Sequence, residues 1–159
     1  MGAFTKKILQ QLETCEDMQD DTDCVQIAGD LLSRHTVRNF QSHFYPEVDR
    51  EKVSAQEAQA LKTALLNLYQ RQPKNFARGT VLWALGKSHD VTLKDFFVQE
   101  THTLAEAVTE ANGTLFQVLI ALEGIGEPVF EETRSIDEIA INLEQARKYL
   151  AQYGIVIPW

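Results

Sequence analysis

Apolar residues in this chain return every three or four positions, which is the period of a helix with one buried face. Phe4, Ile8, Leu9 and Leu12 mark a first amphipathic helix, and Val25, Ala28, Leu31, Leu32 and His35 line one face of a second. Asp23 stands where that second helix wants a cap. Ser54-Ala-Gln-Glu57 is a capping box, and the stripe Ala58, Leu61, Leu65, Leu68 and Tyr69 predicts a helix ending before Pro73. Further helices are expected from Asn75 to Gly86 and from Asp90 or Thr92 with Leu93, Phe96, Phe97, Leu104 and Val108 inward. Asn112-Gly113 is read as a stop, and a third helix of this run goes from Thr114 to the break at Gly124 and Gly126. Ser135-Ile-Asp-Glu138 reads as a second capping box, opening a helix with Ile136, Ile139, Leu143, Ala146 and Leu150 that closes near Gly154. The segment Phe40 to Val53, interrupted by Pro46, is the longest irregular connector.

About seven helices and no paired strand predict an all-α fold, one domain over residues 1–159. Two stretches, Thr80 to Asp90 and Gln117 to Glu127, share a pattern about 37 residues apart, a spacing that suits stacked helical hairpins. Leu82 aligns with Leu119, Ala84 with Ala121 and Leu85 with Leu122, so the apolar positions coincide. Around Trp83-Ala-Leu-Gly-Lys-Ser-His-Asp90 the chain resembles the HEAT-like (phycobilisome-lyase-like) repeat family, over about residues 75–130. The resemblance implies hairpins stacked as a short solenoid or bundle; Glu123 departs from it by replacing the glycine after Ala-Leu.

Charge divides the chain in three. The net value is −8, with residues 1–33 carrying seven acids and two bases, 34–78 four acids and eight bases, and 79–159 twelve acids and five bases. That balance disfavours nucleic acid and anionic lipid and favours a basic partner. No apolar run reaches the roughly 20 residues of a membrane span, and the first dozen residues lack the apolar centre of a secretory signal, so a cytoplasmic protein is expected. Cys15 and Cys24 match neither a redox pair nor a zinc framework.

No residue set names a reaction. His35, His43, His89 and His102 are scattered and form no ligand motif, no nucleophile signature is present, and no glycine-rich loop precedes a helix as a phosphate cradle. The expectation is therefore no catalytic residues, no metal and no cofactor. What remains are two acidic clusters: Asp17, Asp20, Asp21 and Asp23 beside Glu16, and Glu123, Glu127, Glu131, Glu132, Asp137 and Glu138. Each is either a solvated set of helix ends or a surface that meets a basic protein. Trp83 and Trp159 are the aromatic candidates for an anchor, Trp83 having helix-core packing as its other account. By type, the chain resembles the immunity proteins of bacterial contact-dependent or secreted toxin systems. That resemblance implies an antitoxin that covers the active site of a cognate basic toxin, a nuclease being the natural target since its cleft attracts polyanions. The alternative is a HEAT-like adaptor or maturation factor that binds another protein along its curved face.

Overall fold

The computed structural model describes residues 2–16, 23–72, 77–107, 112–130 and 138–157. Seven α-helices lie within them: α1 (Ala3–Thr14), α2 (Asp23–Thr36), α3 (Ala55–Arg71), α4 (Ala77–Gly86), α5 (Lys94–Glu106), α6 (Asn112–Gly124) and α7 (Ile139–Ala151). Short 3-10 turns at Val48–Arg50 and Val91–Leu93 complete the regular structure, and no strand occurs among the described residues.

Local signals account for several of the boundaries. At the start of α3 the Glu57 amide donates to Ser54 Oγ at 3.1 Å while the Ser54 amide donates to Glu57 Oε1 at 3.4 Å, the reciprocal pair the sequence predicts. Asp90 caps the turn before α5, accepting from the Thr92 amide at 2.9 Å. Two helices end at glycines in the left-handed region, Gly126 (φ 92°) after α6 and Gly154 (φ 72°) after α7, where a side chain would be strained.

Four expectations differ from what forms. Asn112-Gly113 opens α6 and does not close α5, which ends at Glu106 with Ala107 as its cap; Asn and Gly suit a helix start as well as a stop. Asp23 is the first residue of α2, not the cap before it. His35 is exposed, its Nδ1 2.7 Å from the Val53 carbonyl oxygen, because the last turn of α2 runs past the core. Helix α7 begins at Ile139 with no side-chain cap from Glu138. Ser135 and Ile136, like Val108, lie outside the described residues.

The helices form two rows. Helices α3 and α4 run antiparallel: Lys62 pairs with Asp90 at 2.6 Å near one end, and Tyr69 lies under the Arg78 guanidinium, 3.9 Å from its ring centroid, near the other. Helices α4 and α6 run parallel. Gly79 faces Thr114, Gly86 faces Ala121, and His89 Nδ1 lies 2.9 Å from the Gly124 carbonyl oxygen, so the partner is always 35 residues on. Helix α2 packs on the far side of α4, giving the row α2, α4, α6. On the other side α1 packs on α3 and α5 on α7, with Tyr69 joining α3 to α5 through the Phe96 ring at 5.6 Å and Glu100 Oε2 at 2.7 Å. The core lies between the rows. Central α4 and α6 are apolar nearly all round, burying Val81, Leu82, Ala84 and Leu85 in one and Leu115, Val118, Leu119 and Leu122 in the other, because each is covered on several sides. The flanking helices bury only a stripe, such as Ile8, Leu9 and Leu12 of α1.

Candidate functional site

A concavity with a volume of about 450 Å³ opens on the α2, α4, α6 row, within the roughly 300–1,000 Å³ usual for ligand sites. Three of its walls follow from helical spacing. Gln26, Asp30 and Ser33 come from one face of α2, Gly79, Thr80, Trp83 and Lys87 from α4 and the turn after it, and Gly113 and Gln117 from α6. The fourth wall is the connector after α2, which contributes Phe40, His43, Phe44 and Tyr45.

That connector is fastened from beneath. Asn39 takes a left-handed conformation (φ 59°) and turns the chain back. The Arg34 guanidinium then donates to the carbonyl oxygens of Phe40 at 2.8 Å, Asp49 at 2.8 Å and Glu51 at 3.3 Å. Ser42 ties the loop to α2: its hydroxyl donates to Asp30 Oδ2 at 2.6 Å, and its amide donates to Asp49 Oδ1 at 2.8 Å. The Tyr45 phenol reaches Gln26 Oε1 at 3.1 Å and Asp23 Oδ1 at 3.4 Å. Partial burial, and after it the charge and hydrogen bond of Asp23, push that phenol above its ordinary range. At the rim Phe44 stays 81% exposed.

Trp83 owes its place to a glycine. A Cβ on Gly29 would fall 2.5 Å from the indole Cζ3, so only a residue without a side chain lets the ring lie over α2. The Lys87 ammonium sits 5.1 Å from the Trp83 ring centroid. On the far side of Trp83 a smaller hollow of about 130 Å³ continues along the α4–α6 seam, lined by Gln117, Glu123 and His89 among others.

No protein-family model, curated protein or solved structure matches this chain. Function therefore has to be argued from the residues.

Of the residues the sequence singles out, Asp17, Asp20, Asp21, Glu131, Glu132, Asp137 and Trp159 lie outside the described residues. Trp83 lines the cleft, Asp23 stays outside its lining and touches only the Tyr45 wall, and Glu123 lines the adjoining hollow with Trp83. Glu138 is exposed just before α7. Glu127 is engaged within the fold, where its Oε1 accepts from the phenols of Tyr153 at 2.5 Å and Tyr149 at 2.8 Å and pairs with Lys94 at 3.1 Å. The bond from Tyr153 first, then those from Tyr149 and Lys94, hold this carboxyl below the usual range despite partial burial, which acts the other way.

Sequence reasoning missed Asp30 and the aromatic wall. The signal for the wall was present, since Phe40, His43, Phe44 and Tyr45 concentrate rings in a connector too irregular to bury them. Among the described residues no group of three or more His, Cys, Asp or Glu is placed to hold a metal ion, and no helix is long and apolar enough to cross a membrane. The arrangement suits binding: aromatic walls, the Asp30 carboxylate and the Lys87 ammonium offer a surface for another molecule's side chain.

Proposed function

We propose that this chain is an immunity-type inhibitor that binds a basic bacterial toxin domain, a nuclease being the favoured class, and covers its active site in the cytoplasm. The observation that carries the proposal is the aromatic-walled cleft on the α2, α4, α6 row, lined by the Asp30 carboxylate, with Asp23 behind its Tyr45 wall and Glu123 in the next hollow. An acidic chain of net charge −8 accelerates encounter with a cationic partner, and a ring seated in a cleft slows release. The interface assigned here is Asp23, Asp30 and Trp83, with Asp17, Asp20 and Asp21 preceding α2 in sequence. Glu127 is left out because its carboxylate is already used. Antiparallel α3 and α4 and parallel α4 and α6 support the reading of the chain as HEAT-like stacked hairpins.

The test is to recover the natural partner from the source cell and express it in a host that lacks this chain. Toxicity relieved by co-expression, and binding weakened by added salt, are expected. Protection indifferent to charge reversal at Asp17, Asp20, Asp21, Asp23 and Asp30 together would remove the electrostatic mechanism. A second reading, an adaptor or maturation factor, is favoured by the mixed lining of the groove, in which Gln26, Ser33, Thr80 and Gln117 alternate with rings. A harmless housekeeping complex as the recovered partner selects it.

A further inference from the structure

We infer that the cleft receives an arginine side chain of the partner, its guanidinium paired with Asp30 and laid against the rings of Phe44 and Trp83. The inference rests on the reading above that the partner is a basic protein. Asp30 is half-buried and lines the cavity, and Ser42 Oγ donates to its Oδ2 at 2.6 Å. Among the described residues it has no ion pair and its Oδ1 has no hydrogen bond. A half-buried carboxylate whose one hydrogen bond comes from a neutral hydroxyl has an oxygen left for a cation's donors.

The surroundings select which cation. Phe44 is held at the rim with most of its ring in solvent, on a loop fixed by Ser42 and Arg34, and the Trp83 indole already has an ammonium 5.1 Å from its centroid. The indole thus already attracts one cation, and the Phe44 ring offers an open face to another. Guanidinium is planar and weakly hydrated, stacks on rings and meets a carboxylate with a two-pronged fork, whereas an ammonium keeps its water. Lys87 is the competing cation in the cleft, half-buried on a four-carbon stem, and an entering guanidinium takes its place on the Trp83 face.

The whole chain, labelled with nitrogen-15, is titrated with acetyl-arginine amide, and separately with acetyl-norleucine amide and acetyl-tryptophan amide, following the Trp83 indole and backbone signals. The arginine probe should shift signals around the cleft. Asp30→Asn, whose amide oxygen still accepts the Ser42 bond, should weaken it about tenfold, and Phe44→Ala about threefold, with the thermal midpoint retained. Equal shifts from the norleucine or tryptophan probe would make the cleft an apolar anchor site and overturn the inference. So would arginine affinity unmoved by Asp30→Asn, or shifts scattered over acids outside the cleft. The probes need no toxin, so failure here leaves the partner-recovery test standing, and a harmless partner leaves this result standing.

Discussion

Toward α6, helix α4 turns Gly79 and Gly86 to Thr114 and Ala121, and the two backbones come so close that a Cβ on Gly86 would lie 3.1 Å from the Ala121 Cβ. Toward α2 the same helix turns Trp83, and although Gly29 admits the ring, the two helices leave a cavity of about 450 Å³ beside it. One seam is closed by absent side chains, the other propped by the largest one. The first supplies rigidity and leaves only a hollow of about 130 Å³ at its edge. The second leaves room for a guest, on a frame the first holds still.

The largest effect should come from filling the closed seam. Gly86→Val pushes methyl groups against the α6 backbone and should cost about 3 kcal/mol in thermal or urea unfolding; a neutral result would mean the seam is not close-packed. Smaller is Glu127→Gln, which weakens two phenol bonds and the Lys94 pair and should cost about 1–2 kcal/mol at neutral pH. Because the folded carboxyl of Glu127 titrates below its ordinary value, its contribution is complete above the unfolded pKa and disappears as pH falls through the folded one. The acid limb of the wild-type stability curve should be steeper than the variant's, and coincident limbs would contradict the assignment.

Gly29→Ala probes the open seam. The added methyl meets Trp83 Cζ3 at 2.5 Å and the Ala84 Cα at 3.2 Å, against a helix-propensity gain of about 1 kcal/mol. A net loss of about 1 kcal/mol with altered tryptophan emission is expected; a stabilised protein with unchanged emission would show that the indole has no fixed seat. Phe44→Ala should change stability by less than about 0.5 kcal/mol, since the ring is exposed. A larger loss would mean that the loop, too, is part of the core.

The helices were legible because their signals are local. The Ser54–Glu57 box and the stripe of α3 lie within one stretch of sequence, and so do the apolar turns of α1. The cleft was not, because its parts are positioned from afar. Arg34 reaches carbonyls 6, 15 and 17 residues on, and Gly29 makes room for a ring in another helix. Periodicity places Trp83 between the core residues Leu82 and Ala84, and only the neighbouring α2 decides that its ring meets a cavity. Glu127 looked like a surface acid for the same reason: the phenols that engage it stand 22 and 26 residues downstream. A shared 37-residue pattern and a 35-residue contact offset are also different quantities, because equivalent residues of neighbouring parallel helices do not themselves touch.

The Arg34 fork has a consequence for recognition. By gathering carbonyl oxygens from both ends of the connector, it confines Phe40 to Tyr45 while the protein folds, well before any guest arrives. The backbone freedom of that loop is thus surrendered on folding, and a visitor finds a wall whose main chain does not have to be frozen into shape.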